Sequence, residues 1–246
     1  MDSGNIGFVL LCAAFVFVMT PGLAMFYGGL VRKKNVVNTM MTSIFIIGVG
    51  IVMWVLFGYS LSFAPSGNAF IGDFRWLGLE GVSLTEGYTD DASIPNMVFS
   101  AFQMMFAVIT PALITGAVAG RMKFKSIFVF TIFWSLIVYY PLAHMVWGQG
   151  GLLGADGIGA LDFAGGDVVH ISSGVSALVL CILLGKRHDY EHSIYRIHNI
   201  PTVVLGASLL MFGWFGFNAG SALAADGLAA HAFMTTGVSA AAAMLS

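Results

Sequence analysis

Seven apolar runs, each about the length of a membrane-spanning helix, constrain the fold of this chain more than any other feature. A helix needs roughly 20 predominantly apolar residues to cross a bilayer. Hydrophobic residues make up 58% of the 246 residues and charged residues only 9%, which leaves little chain for a soluble domain. We therefore predict an all-α, polytopic membrane helical bundle with about seven spans, at residues 6–31, 36–63, 94–120, 126–147, 164–185, 200–223 and 228–246.

Basic residues predict the orientation of the bundle. Nine of the ten Lys and Arg residues fall in alternate loops, and only Arg75 lies in a loop of the other set. Loops rich in Lys and Arg stay in the cytoplasm, so we expect the N-terminus outside and a multi-pass protein of the cell (inner) membrane. The first run has no basic segment before it, which predicts a retained helix rather than a cleaved signal peptide. The opposite loops carry acidic residues, namely Asp73, Glu80, Glu86, Asp90, Asp91, Asp156 and Asp162.

Small and sulfur-containing residues indicate close packing rather than metal binding. Glycines recur at four-residue spacing, as at Gly216 and Gly220, and such spacing lets transmembrane helices approach closely. Cys12 and Cys181 both lie in apolar runs, so we predict buried free thiols. The 14 Met residues are compatible with soft-metal transport, but gap-filling in an apolar interior explains them better. We predict no metal site and no cofactor.

One ionisable residue lies deep inside an apolar run. His170 is in the fifth run, about six residues from its start, which corresponds to roughly 9 Å of helix. An ionisable side chain at this depth is costly and usually faces a bundle interior or a water-filled path. We therefore predict a functional role for His170. His144 and His231 lie near the ends of runs, and we expect both at the membrane interface.

Several other residues fall near the predicted outer surface. Trp147 ends the fourth run, Asp162 precedes the fifth, and Phe217 and Ser221 share one face of the sixth. Phe106 lies partway along the third run. Aromatic rings attract cations, by about 2 kcal/mol or more when desolvated, and a serine hydroxyl can accept a hydrogen bond from N–H. An apolar path below them opposes a bare charge, so the pattern favours a weak-acid cation that can release its proton near an imidazole.

Each of these residues also has a simpler interpretation. A tryptophan at the end of a span is typical of the interfacial aromatic belt. The two phenylalanines fit ordinary core packing, and Ser221 can bond a carbonyl of its own helix. The residue pattern alone leaves these alternatives open.

Five segments are similar in order and sequence to the ammonium transporter family (Amt/Mep/Rh). They run through the whole chain and are TPGLAMFYGGLVRKKN at 20–35, AFQMMFAVITPALITGAVAGRMKF at 101–124, LAHMVWGQGGLLG at 142–154, LDFAGGDVVHISSG at 161–174 and WFGFNAGSALAA at 214–225.

The resemblance implies a role for each residue that matches a family motif. These are Phe106, Trp147 and Ser221 for outer ammonium recruitment, Phe106 and Phe217 for the gate of paired rings, and His170 for the first of two pore histidines. Asp162 matches a vestibule carboxylate that holds loop geometry and favours the cation without touching it.

The resemblance also implies the activity and partners. We expect ammonium or ammonia transport in nitrogen uptake, with no enzymatic activity and no nucleic-acid partner. The family fold has eleven spans in two inverted five-helix repeats, assembles as a homotrimer, and in many bacterial members is closed from the cytoplasm by a PII-type regulator. The alternative is an ammonium sensor of the same fold that binds but does not conduct.

An intramembrane hydrolase is disfavoured because Ser172 and Ser173 lie beside His170 on one helix, without nucleophile–base geometry.

Two features depart from the family pattern. The chain ends at Ser246 inside its seventh apolar run, so we expect residues 1–246 to be the N-terminal portion of a longer transmembrane domain, truncated in the seventh span. A mass spectrum of the native protein ending at Ser246 would contradict this expectation. Asp167 stands where relatives usually carry a small or hydroxyl residue. It is either a possible partner that orients His170 at i+3 or a carboxylate favoured by the helix N-terminus.

Overall fold

Seven long helices form the protein in a computed structural model that describes residues 1–65, 68–155, 157–187, 190 and 194–246. Each is long and apolar enough to cross a membrane, and the described residues form no β-strand. The predicted all-α bundle of seven spans is confirmed. Asp156, one of the acidic loop residues named above, lies outside the described residues. The helices are α1 (Ser3–Leu30), α2 (Lys33–Phe63), α3 (Asn96–Val118), α4 (Phe124–Trp147), α5 (Gly166–Leu184), α6 (Ile200–Gly220) and α7 (Gly227–Leu245).

Three of the helices contain a π-helical turn. The wide turns span Trp54–Gly58 in α2, Ser135–Tyr139 in α4 and Gly166–Ile171 at the start of α5. A π turn adds a residue to the helical turn and re-aims the side chains that follow, and such turns are frequent at functional sites. The turn in α5 contains His170, so ordinary α-helical spacing does not apply there.

The helices alternate in direction and place two kinds of linker at opposite ends of the bundle. The linkers after α2, α4 and α6 meet at one end, here called the loop end, where Leu152 N–H donates to Ala69 O. The linkers after α1, α3 and α5 meet at the other, here called the basic end. There the guanidinium of Arg121 donates to the carbonyls of Gly185 and Ala117, which joins the C-terminal ends of α5 and α3. A cation is stabilising at helix C-termini.

Glycines bring α1 and α6 into close contact, as their spacing predicts. A Cβ atom on Gly206 would lie 2.3 Å from the backbone nitrogen of Phe26, and one on Gly213 would lie 2.5 Å from the carbonyl oxygen of Phe15. Neither approach is possible for a larger residue without moving a helix. The small-residue face therefore sets the distance between α1 and α6.

Substitution of Gly206 should destabilise the protein more than substitution of a glycine that faces open space. We expect Gly206→Ala to cost about 1–3 kcal/mol, because the new methyl group would overlap the α1 backbone. Gly48→Ala is the matched control, since no atom lies within 4 Å of its added Cβ. Thermal unfolding of the purified protein in detergent measures both, and equal melting temperatures for the two variants would contradict the close α1–α6 contact.

His144 lies near the end of α4, as its position in the sequence predicts, but its side chain is buried in the protein interior. Its side chain is 0% exposed. Nδ1 lies 3.1 Å from the carbonyl oxygen of Ser62, and Nε2 lies 2.9 Å from that of Asn68. The linker after α2 folds over the end of α4 and covers the ring, which position along a span does not reveal. His231 is exposed, as expected.

Candidate functional site

A cavity of about 560 Å³ opens at the loop end of the bundle. Its wall includes aromatic side chains from α3, from α4 and from the linkers. Tyr88 forms part of this wall and stacks on Phe99, with ring centroids 4.8 Å apart. Burial raises the pKa of Tyr88 to about 12, so its hydroxyl stays protonated at physiological pH. The residues predicted for recruitment all line this cavity, together with the vestibule carboxylate: Phe106, Trp147, Ser221 and Asp162.

Trp147 is held in place by a neighbouring linker. Its indole N–H donates to the backbone carbonyl of Asp162 at 2.9 Å, so the nitrogen is occupied and the orientation of the ring is fixed. The edge-to-face contact with Phe106 has a centroid distance of 6.1 Å and an interplanar angle of 81°. The ring is half-buried beside the cavity, which is the arrangement a cation–π contact requires.

Beneath Trp147, Phe106 and Phe217 pack directly against each other. Their ring centroids lie 4.5 Å apart at 51°, and each residue is 1% exposed. Phe106 comes from α3 and Phe217 from α6, so the pair joins two helices that are distant in sequence. The two rings separate the cavity from the side chains below them.

The rings continue from Phe217 to His170 on α5. The centroids of these two rings are 5.9 Å apart, and the imidazole also stacks on Trp214 at 5.5 Å and 15°. Trp147, Phe106, Phe217, His170 and Trp214 thus form a continuous series, here called the ring series, in which each ring lies within 6.1 Å of the next. His170 is nevertheless exposed.

The hydroxyl of Ser221 donates to the carbonyl of Phe217 at 2.9 Å. The hydroxyl proton of Ser221 therefore bonds within its own helix, as the simpler interpretation of this serine predicts. Because this proton is already in a hydrogen bond, the hydroxyl oxygen can act toward the cavity, which Ser221 lines, only as an acceptor. This arrangement suits a ligand that carries N–H donors.

Asp162 caps the start of α5. Its carboxylate accepts hydrogen bonds from the backbone N–H groups of Gly165, Gly166, Asp167 and Val168, at 2.5–2.9 Å. The first N–H groups of a helix lack intrahelical partners, and here one carboxylate satisfies four of them. Since the carbonyl of the same residue holds the Trp147 indole, Asp162 links the entry of α5 to the wall of the cavity.

The sequence matches the Ammonium Transporter Family over residues 7–246. The ammonium transporter of Bacillus subtilis (strain 168) is 52% identical over 242 residues, which cover 98% of this chain and 58% of that protein. The ammonium transporter of Mycobacterium tuberculosis (strain H37Rv) is 46% identical over 264 residues, with coverage of 99% and 55%. The chain belongs to the ammonium transporter family. Proteins of this family are named as transporters rather than enzymes, and this chain is a multi-pass membrane protein.

Solved structures of this family share the fold. Saccharomyces cerevisiae Mep2 superposes with a TM-score of 0.80 at 37% identity, covering 92% of this chain and 50% of that one. A structure described as a sensor Amt protein gives a TM-score of 0.78 at 28% identity, covering 91% and 56%. The chain thus spans just over half the length of the ammonium transporters that it matches.

Asp167 and His170 make no hydrogen bond or ion pair with each other in the part of the chain that the structure describes. The physical reason is the π turn over Gly166–Ile171, in which His170 N–H bonds to Gly165 O, five residues back. The predicted contact between the side chains of Asp167 and His170, at positions i and i+3, requires α-helical geometry. Asp167 instead lies in the first turn of α5, where the helix dipole favours a carboxylate.

We therefore expect Asp167→Ser to leave the pH dependence of ammonium uptake unchanged. Loss of the dipole interaction should cost only about 0.3–1 kcal/mol of stability. Uptake by proteoliposomes between pH 5.5 and 8, compared with the unsubstituted protein, measures this. A shifted pH profile would instead support the hypothesis that Asp167 orients His170.

Two residues at this candidate site were not predicted from the sequence. Trp214 stacks on His170, and Gln103 lines the cavity beside Phe106. Each lies three residues before a predicted site residue, Phe217 or Phe106, and therefore on the same helix face. That spacing was the available signal, and it is weak because most aromatic residues in spans are core packing.

Proposed function

We propose that the protein takes part in ammonium or ammonia transport for nitrogen uptake, with the cavity at the loop end as the recruitment site. The single observation that carries the proposal is the ring series, which starts at this cavity and reaches a histidine inside α5. Membership of the ammonium transporter family and the likeness to solved Mep2 structures support the same activity.

Recruitment would rest on the face of Trp147 and the ring of Phe106. A desolvated cation over an indole gains about 2 kcal/mol or more. The Ser221 oxygen adds an acceptor for one N–H of the ion, because its own proton is bonded to Phe217. Asp162 contributes through loop geometry and negative charge, since its carboxylate oxygens are already bonded to backbone N–H groups.

Passage would require the ion to lose its proton at the Phe106–Phe217 gate. An ion enters an apolar region at a high free-energy cost, and the two buried rings offer no polar atom to replace water. Ammonium avoids this cost by giving its proton to water on the cavity side and crossing as ammonia, and a current accompanies this passage when the released proton follows by a separate route. Beyond the gate, the His170 imidazole can donate or accept a hydrogen bond. Potassium has no proton to release, so the gate excludes it.

The orientation and assembly are part of the same proposal. The cluster of basic linkers supports a cytoplasmic basic end, so the cavity faces outward and the membrane is the cell (inner) membrane. We propose that the conducting unit is a longer protein of eleven spans, in which other segments complete the pore at the exposed side of His170. A homotrimer and a PII-type regulator at the basic end follow from the family resemblance.

A sensor that binds ammonium without conducting is the second candidate. It is favoured by one observation, the TM-score of 0.78 with a structure described as a sensor Amt protein. The same cavity and rings would bind ammonium in both cases.

Solid-supported-membrane electrophysiology on the full-length protein separates the two. We expect a current evoked by ammonium, none evoked by potassium, and a changed ammonium current in His170→Ala. A protein that binds ammonium but gives neither a current nor uptake of labelled methylammonium into proteoliposomes would be a sensor. Equal currents for ammonium and potassium would contradict the proposed gate.

A further inference from the structure

One helix face of α3 supplies part of the cavity wall at the loop end. Phe99, Phe102, Gln103 and Phe106 all line the cavity, and their positions i, i+3, i+4 and i+7 form one stripe of the helix. Three members of the stripe are aromatic and one is a carboxamide. Gln103 is therefore the polar member of an otherwise aromatic stripe on α3.

The Gln103 side chain is buried yet has no hydrogen-bond partner among the described residues. The residue is only 9% exposed. Its amide oxygen and nitrogen are not fully enclosed by protein, so they reach the cavity that the residue lines. Buried polar side chains almost always have a partner. The other glutamine of the chain, Gln149, is exposed and nevertheless has a partner, since its Nε2 donates to Tyr88 O at 2.9 Å.

We propose that Gln103 binds the recruited cation directly, through its side-chain carbonyl oxygen. This inference rests on the proposed function and adds a second acceptor to the recruitment site. Ammonium has four N–H donors in a tetrahedral arrangement. Ser221 accepts one, Gln103 accepts another, and the rings of Trp147 and Phe106 contact the remaining positive surface.

Two neutral acceptors among aromatic rings also select the chemical class of the ligand. Each oxygen forms a directional bond with one N–H, so ammonium and primary amines such as methylammonium can satisfy both. A potassium ion bound by oxygen atoms needs many of them around it, and two do not replace its hydration shell. Gln103 therefore acts as a specificity determinant for N–H-bearing cations.

The test is substitution of the carboxamide by an apolar side chain of the same length. In Gln103→Met, we expect the apparent KM for ammonium-evoked current to rise roughly 10-fold or more, the effect of losing a hydrogen bond from a charged donor. The maximal current should stay within about twofold, because deprotonation at the gate does not use this residue. Gln103→Glu keeps acceptor oxygens and should restore an apparent KM at or below that of the unsubstituted protein.

Gln149→Leu is the matched control, because it removes the other glutamine without removing a residue that lines the cavity. We expect its apparent KM to remain unchanged. Gln103→Leu provides a second apolar variant in case Gln103→Met does not fold, and size-exclusion profiles identify folded protein. An unchanged apparent KM in a folded Gln103→Met or Gln103→Leu variant would overturn the inference.

A binding measurement distinguishes failure of this inference from failure of the proposed transport. Ammonium that binds the native state raises the melting temperature as its concentration exceeds the dissociation constant. If the unsubstituted protein gives neither a current nor uptake of labelled methylammonium, the same 10-fold weakening in Gln103→Met is expected in this ligand-dependent thermal shift. Such a result would retain Gln103 as a ligand-binding residue while rejecting transport, and an unchanged shift would reject Gln103.

Discussion

Asp162→Ala should abolish ammonium uptake and lower the stability of the protein by about 3–5 kcal/mol. The carboxylate accepts four backbone N–H groups at the start of α5. Leaving a buried donor without an acceptor costs about 1–3 kcal/mol, and the cost here is smaller per bond because three of these bonds are partly buried and the one from Gly166 is exposed. The π turn that carries His170 follows directly, so loss of the cap should also displace the imidazole from Phe217.

A second capping carboxylate provides the control for this prediction. Asp226 caps α7 through a single hydrogen bond from Ala229 N–H, at 3.0 Å. Asp226→Ala should cost only about 1 kcal/mol, as expected for an ordinary N-cap. Thermal unfolding and uptake of labelled methylammonium measure both variants. Similar melting temperatures and similar uptake for the two would show that the four bonds to Asp162 do not organise the entry of α5.

Trp147→Leu should raise the apparent KM for ammonium about 30-fold. The substitution removes the indole face at the cavity, and a desolvated cation–π contact is worth about 2 kcal/mol or more. Trp147→Phe keeps an aromatic face but loses the hydrogen bond to Asp162 O, so its apparent KM should fall between those of Trp147→Leu and the unsubstituted protein. Concentration series of ammonium-evoked current give these values.

Trp134→Leu tests whether the effect belongs to the cavity or to the loss of any tryptophan. Trp134 is also on α4, and its indole N–H donates to Ser176 Oγ at 2.8 Å, but it does not line the cavity. We expect lower stability and an unchanged apparent KM. A rise in apparent KM as large as that of Trp147→Leu would argue against a cation–π contact at Trp147.

The span pattern was predictable from the sequence because the bilayer imposes it. Each spanning helix must present about 20 apolar residues to lipid, so runs such as 126–147 and 200–223 appear directly as α4 and α6. The glycine spacing likewise predicted close helix contact, because helix–helix distance depends on side-chain size. These features depend on local composition and need no knowledge of tertiary contacts.

Tertiary contacts explain what the sequence did not reveal. The four N–H groups bound by Asp162 require a particular loop path, and the π turn at Gly166–Ile171 changes the relation of Asp167 to His170. His144 is buried because the linker after α2 folds over it, although its position near the end of a span suggested an interface. Trp214 and Gln103 are recognisable only once the rings and the cavity are seen.

The most direct test is an experimental structure of the full-length protein with bound methylammonium. The proposed recruitment site predicts ligand density between the Trp147 indole face and the Phe106 ring, with the ligand nitrogen within hydrogen-bond distance of Ser221 Oγ. The density should disappear in Trp147→Leu crystals or particles prepared in the same way. Ligand density at the basic end, with an empty cavity beside Trp147 in the unsubstituted protein, would contradict the proposed route through the ring series.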